Sequence, residues 1–312
     1  MSGRNSSPHP EAPRSGLEGR GRSLVRRRSV VAGAGAALLT AAAPTLAAPA
    51  VSFADIEKSL GGRLGVYAAE IGASRSLVHR QGERFPMCSS FKALLVAAVL
   101  EMADHGALSL GRRLAYTSAD LLAYAPTTRA HVAEGAMSVL DLCEAAVELS
   151  DNTAANLLLA LVGGPAALTA RLRAWGDPET RLDRNEPTLN SSIPGDPRDT
   201  TTPQAMAESV GRLVFGAVLK PESRAQLRAW MIACKTGLTK LRAGLPAGAV
   251  VGDKTGNNGH DTEGDVAFVE AGGRTLLIAT YVTEARLDQK AQDAAIAEVA
   301  RRVSAYFGLT HD

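Results

Sequence analysis

Aromatic side chains are scarce in this chain. They make up 4% of its 312 residues, as two Trp, five Tyr and six Phe. Basic stretches interleaved with aromatics, the pattern that neutralises and stacks a nucleic acid, are absent, so no nucleic-acid partner is implied. Cysteine is rarer still. Cys88, Cys143 and Cys234 are the only three, which allows at most one disulfide. The six His form no H-x-H or H-E-x-x-H cluster, so no metal site is read. Internal repeats are missing too, which excludes solenoid and propeller architectures.

Charge of one sign is also lacking. The formal net charge is +2, and even that belongs to the N-terminus. Residues 1–48 hold seven Arg and two acidic residues, and without them acidic residues outnumber basic ones by three. The same segment starts polar and arginine-rich. Arg26-Arg27-Arg28-Ser29 then leads into a modest apolar stretch, residues 30–39, followed by small residues up to Ala48. A basic head, a short apolar run and small residues before a cut describe a signal peptide, not a membrane span. The paired arginines predict the twin-arginine route, and no cysteine near the cut predicts a lipid anchor.

What remains, about 260 residues, suffices for one large domain or two intimate subdomains. Residues 64–71 and 76–80 alternate like a hairpin around Gly72. Residues 265–270 and 274–282 form another around Gly272-Gly273. With the β-branched run at Val250, these predict one five-stranded antiparallel sheet. The last helical pattern, residues 287–307, stripes Ile296, Val299, Val303 and Phe307 on one face and should pack on that sheet. The middle reads as nearly all helical, with Pro165 and Pro203 in first turns. The predicted organisation is α/β in the α+β sense. Residues 52–86 and 232–312 build an α/β subdomain, and 87–231 an all-α one.

Four segments carry chemistry. Ser89-Ser90-Phe91-Lys92 opens an apolar helical run, so Ser89 and Lys92 share a face one turn apart. An amine held in an apolar interior loses its charge readily and can take a serine proton. Ser150-Asp151-Asn152 joins two helices, where a hydroxyl can relay a proton and an amide can orient a carbonyl. Lys254-Thr255-Gly256 follows a strand pattern, and the glycine allows close backbone approach to a ligand. Lys235-Thr236-Gly237 spells the same tripeptide, but it follows a helix and reads as its cap. Glu186 and Asn190, four apart in the polar stretch 181–202, can hold one water between them, with Arg184 and Asp199 clasping the loop.

In this order, S-x-x-K, S-D-N, E-x-x-x-N and K-T-G resemble the class A serine β-lactamases over the chain from about residue 52. The resemblance implies the shared serine β-lactamase and penicillin-binding transpeptidase fold, with the active site between the subdomains. It implies a hydrolase that opens the β-lactam amide of penicillins and cephalosporins through a serine acyl-enzyme and so confers antibiotic resistance. Ser89 would attack, and its proton would pass to Lys92 or, through a water, to Glu186. The oxyanion would sit between the N–H groups of Ser89 and Asn257. Ser150, beside Lys254, would protonate the leaving nitrogen. Asn152 would hold the substrate's side-chain amide, Glu186 and Asn190 the hydrolytic water. Lys254, Thr255 and Gly256 would meet the substrate, and Tyr124 would wall the cleft. No cofactor, no metal and no membrane anchor are implied. The expected protein is a monomer exported to the periplasm.

Departures from the family pattern matter. Where many relatives carry a strand arginine for the substrate carboxylate, this chain has Glu263. Lys240, expected to be exposed, would supply the cation, unless it pairs with Glu263 structurally. Asn185 replaces a frequent aromatic before Glu186. The family's usual cysteine partners are also missing, so the three thiols are expected buried and reduced. Two rival classes share the Ser-Lys chemistry: a D-alanyl-D-alanine peptidase or transpeptidase, and a non-turnover β-lactam sensor. Both lack use for Glu186 and Asn190.

Overall fold

A computed structural model describes residues 51–309. The predicted signal segment 1–48 lies outside the described residues. The chain begins with α1 (Ala54–Leu60), then β1 (Arg63–Glu70), β2 (Ser76–His79) and the short β3 (Phe85–Pro86). A single 3-10 turn, Cys88–Ser90, leads directly into α2 (Phe91–Asp104). Next come β4 (Arg113–Ala115), α3 (Pro126–Ala130), β5 (Ala136–Ser138), α4 (Val139–Glu148), α5 (Asn152–Val162) and α6 (Pro165–Ala174). After the long loop come β6 (Thr200–Thr201), α7 (Pro203–Val214), α8 (Pro221–Ala233), β7 (Val250–Asn257), β8 (Glu263–Ala271), β9 (Arg274–Thr283) and α9 (Gln289–Phe307).

Five of the strands form one antiparallel sheet in the order β2-β1-β9-β8-β7. The expected five-stranded sheet is therefore present, with β2 and β7 at its edges. Gly272 and Gly273 both take positive φ, 55° and 72°, and close the β8–β9 hairpin in two residues. That twist matches the flanking strands, which is why the turn needs glycine twice. Both sheet faces are covered. On one, Ile296, Val299, Val303 and Phe307 of α9 pack with Val66, Ala68, Ile278 and Val282. On the other, Phe268, Ala279 and Tyr281 join the core of the helical middle, through α2, α7 and α8.

Helix α2 is buried on every side over its first ten residues. It contains no Gly or Pro, and its neighbours α4, α5, α7 and α8 surround it. A helix sheathed in this way is a rigid post, and the chemistry stands at its N-terminus. Among the described residues, no single helix is long and apolar enough to cross a membrane.

Candidate active site

Four elements converge beneath one open cleft of about 910 Å³, lined by Ser89, Tyr124, Ser150, Asn152, Asn190 and Thr255 among others. Ser89 sits in the 3-10 turn that opens α2, so Lys92 lies one turn on. Lys92 Nζ donates to Ser89 Oγ at 2.8 Å and to the Ser150 carbonyl at 2.9 Å. It also contacts Ser150 Oγ at 3.3 Å and Asn152 Oδ1. Glu186 Oε1 lies 3.0 Å from the same nitrogen, and both side chains are fully buried. Burial pushes the Lys92 ammonium below its usual pKa, while the Glu186 carboxylate opposes the shift.

Ser150 holds its position through backbone conformation. Its φ is 58°, an uncommon left-handed value for serine, at the joint between α4 and α5. Beside it, Asp151 is completely buried. Its carboxylate accepts from the N–H groups of Thr127, Thr128 and Ala154, capping α5 and tying the joint to α3. Asn152 N–H donates to the Tyr124 carbonyl at 3.1 Å, and the Tyr124 ring stands half exposed at the cleft.

The loop that carries Glu186 is clasped as the sequence suggested. Arg184 Nε donates to Asp199 Oδ2 at 2.5 Å, and Asp199 Oδ1 accepts from the N–H groups of Asp183 and Arg184. Pairing of Phe85 with Thr201 closes the loop's end against β3. Glu186 Oε1 accepts from Ser89 Oγ at 3.1 Å, and Oε2 accepts from Asn190 Nδ2 at 2.7 Å. One carboxylate thus touches the serine and the asparagine at once. The Glu186–Pro187 peptide is cis.

Strand β7 supplies the fourth wall. Lys254 is fully buried and donates to Ser150 Oγ at 3.1 Å. Burial lowers its pKa to about 8, and the neighbouring Lys92 adds to that. Gly256 is required by contact. A Cβ there would lie 2.5 Å from the Met87 carbonyl and 2.9 Å from Ser89 N. The strand therefore runs against the backbone of the serine turn, and Asn257, which ends β7, lines the cleft.

Three residues escaped the sequence reading. Thr236, taken for part of a helix cap, lines the cleft, and its hydroxyl lies 2.6 Å from that of Thr255. Asn156, on α5, brackets the Glu186 backbone, donating to its carbonyl at 2.9 Å and accepting from its N–H at 3.0 Å. Its signal was a lone amide inside the apolar run of α5. Asp151, noted only as part of a tripeptide, is the pin of the joint.

One expectation is corrected. Lys240 is not an exposed cation beside the cleft. Its side chain is 6% exposed, lies 2.9 Å from Glu263 Oε2 and bonds Asp293. The helix α9, absent from a local reading of residues 235–257, covers it. The three cysteines are free and buried, and burial raises all three thiol pKa values.

A serine in reach of a buried amine and a buried carboxylate, under an open cleft, is the geometry of a serine acyl-transfer enzyme. Comparison gives the family. The model of the β-lactamase enzyme family matches residues 48–307, and the chain belongs to that family. β-Lactamase L2 of Stenotrophomonas maltophilia is 47% identical over 265 residues, 84% of this chain and 87% of the relative. β-Lactamase AST-1 of Nocardia asteroides is 46% identical over 252 residues, 80% and 81% of the two chains. The solved structure of an ancestral class A β-lactamase superposes with a TM-score of 0.80 at 55% identity, over 81% of this chain and 98% of that one.

Proposed function

We propose that the protein hydrolyses the lactam amide of penicillins and cephalosporins, as a class A serine β-lactamase that confers antibiotic resistance. The observation that carries the reading is Glu186. Its carboxylate meets Ser89 Oγ, Lys92 Nζ and Asn190 Nδ2 together. A carboxylate held against the nucleophile and an asparagine can place and deprotonate the water that releases an acyl-enzyme. A transpeptidase or a non-turnover sensor has no use for that arrangement.

In this reading, Ser89 Oγ attacks the lactam carbonyl and passes its proton to Lys92 or, through a water, to Glu186. The tetrahedral oxyanion rests between the N–H groups of Ser89 and Asn257. The C–N bond then breaks. Ser150, hydrogen-bonded to Lys254 and within reach of Lys92, gives the leaving nitrogen its proton. Water activated by Glu186 and oriented by Asn190 attacks the ester, and Ser89 recovers its proton. Asn152 and Tyr124 receive the substrate's amide side chain. Lys254, Thr255 and Thr236 receive the ring carboxylate. Gly256 lets the strand lie close. The residues need no cofactor or metal ion for any of these steps.

We also take residues 1–48 as a twin-arginine signal that exports a monomer without a membrane anchor, periplasmic where a periplasm exists. The subdivision into 52–86 with 232–312, and 87–231, belongs to the same reading. A stoichiometric penicillin adduct should map by mass spectrometry to the peptide holding Ser89. An adduct on Ser90 or Ser150, or full activity in Ser89→Ala, would refute the assignment. Replacing Arg27 and Arg28 with Lys should leave unprocessed protein in the cytoplasm, whereas unchanged processing would point to the general secretory route.

A further inference from the structure

The edge strand β7 is paired in the sheet on one side only, with β8. Its other side faces the cleft, and its last residue, Asn257, pairs across the ladder with Glu263. Glu263 is therefore the ladder partner of Asn257. Its side chain is almost dry, 2% exposed, and its Oε2 meets Lys240 Nζ at 2.9 Å. Lys240 in turn bonds Asp293 of α9, and Thr239 Oγ1 donates to the same carboxylate at 2.6 Å. From the first turn of α9, Gln289 Nε2 reaches Glu263 Oε1 at 3.2 Å and Asn257 Oδ1 at 3.5 Å. Just beyond Asn257 the chain is fixed again. Asn258 Oδ1 accepts from the N–H groups of His260, Asp261 and Thr262, and Gln292 donates to the His260 carbonyl.

These contacts form a continuous bracket from α9 through three charged groups to the end of the strand. One ammonium is engaged by two carboxylates and is turned into the cluster rather than toward the cleft. We propose that Lys240, Glu263, Asp293 and Gln289 are a positioning unit for the cleft strand, holding the N–H of Asn257 where the oxyanion develops. The inference rests on the reading of Asn257 as an oxyanion donor. A donor misplaced by a fraction of an ångström loses most of its value, because stabilisation of the transition state depends on preorganised geometry.

The test separates positioning from substrate contact. Stopped-flow acylation is measured for Lys240→Met, Gln289→Ala and the double variant Lys240→Met/Glu263→Met. Each is run with a penicillin and with the same penicillin as its methyl ester. A cation that binds the ring carboxylate is felt only by the free acid. A positioning unit is felt equally by both. The expected result is an acylation rate about tenfold lower in Lys240→Met and about threefold lower in Gln289→Ala, by the same factor for acid and ester. The double variant removes the ion pair and also the Glu263 acceptor of Gln289, so its acylation should stay below the parent by at least the Gln289→Ala factor, again equally for acid and ester, and full recovery would overturn the proposal. A penalty confined to the free acid would overturn the proposal and restore Lys240 as a carboxylate contact. Lower melting temperature with unchanged acylation would overturn it as well. The donor reading is checked separately with Asn257→Pro, which removes the N–H. If Asn257→Pro acylates normally while folded, that reading fails. If it loses acylation while Lys240→Met and Gln289→Ala do not, only the positioning unit fails.

Discussion

Among the described residues, two lysines are buried against carboxylates, and they come out in opposite states. Lys92 meets one carboxylate, Glu186, and both side chains are fully buried. Burial dominates there, and the ammonium is destabilised. Lys240 meets two carboxylates, Glu263 and Asp293, the second of them 20% exposed. Burial works against its charge too, but the pair of carboxylates outweighs burial, and the ammonium is stabilised. The cost falls on Glu263, whose carboxyl is raised by burial and further by Asp293, against the pull of Lys240. Lys92, fully buried against one carboxylate, is thus fit to exchange a proton, and Lys240, less deeply buried between two, is fit to hold structure.

The sharpest way to break the contrast is to remove the single carboxylate. Glu186→Ala should lower turnover by on the order of 10³-fold and let the acyl-enzyme accumulate. Normal turnover with no covalent build-up would mean the loop does not serve hydrolysis. The matching change on the other side is Lys240→Met. It strands two carboxylates, one of them nearly dry, so unfolding free energy should fall by about 3 kcal/mol. Lys240→Met/Glu263→Met should regain most of that. Equal stability of Lys240→Met and the parent would show that the cluster is open to water after all.

The difference between the two lysines also marks what was legible in the sequence. Lys92 announced itself, because S-x-x-K at the head of an unbroken apolar helix fixes both burial and partner within one turn. The sheet was equally readable, since Gly272-Gly273 and the alternating runs specify hairpins locally. Lys240 was only half readable: its pairing with Glu263 was one of two readings, but its burial was not foreseen. Its burial depends on α9, fifty residues away, folding back across the sheet. Thr236 was misjudged for a related reason. It follows a helix end, and only the approach of β7 brings its hydroxyl to Thr255. Asn156 could not be placed until the loop folded over α5. Contacts within one element survive a local reading, whereas contacts made by packing two distant elements do not.

The third lysine of the site, Lys254, extends the contrast along the pH axis. It is buried like Lys92, with no carboxylate bonded to it among the described residues, and its pKa falls from 10.5 to about 8. A depressed lysine keeps its charge below that value and loses it above. If the charge serves substrate binding and Ser150, kcat/KM should decline above about pH 8. The unfolded chain, in contrast, keeps this proton up to about pH 10.5, so the penalty for burying the charge relaxes over the same window. Lys254→Arg should move the alkaline limb upward, because a guanidinium stays charged, even if its absolute rate is lower. A limb that stays in place would assign the titration to another group.

The smallest expected effect concerns the hydroxyl pair that stands where Lys240 was expected to act. With that ammonium shared by Glu263 and Asp293, Thr236 and Thr255 beside Lys254 are the donors we assign to the ring carboxylate. Thr236 and Thr255 face each other at 2.6 Å and both line the cleft. Two hydroxyls can each turn a proton toward an anion, but each contributes only an ordinary hydrogen bond. Thr236→Val keeps the shape and removes one donor. It should raise KM for penicillins by roughly fivefold, about 1 kcal/mol, and leave kcat nearly unchanged. The penicillin methyl ester, which accepts more weakly, should lose less. Should kcat fall instead, Thr236 acts on the chemical step through Thr255, and the carboxylate rests on Lys254 and Thr255 alone. Should neither constant move, the hydroxyl pair only fastens the end of α8 to β7, and the second K-T-G is the helix cap that its sequence suggested.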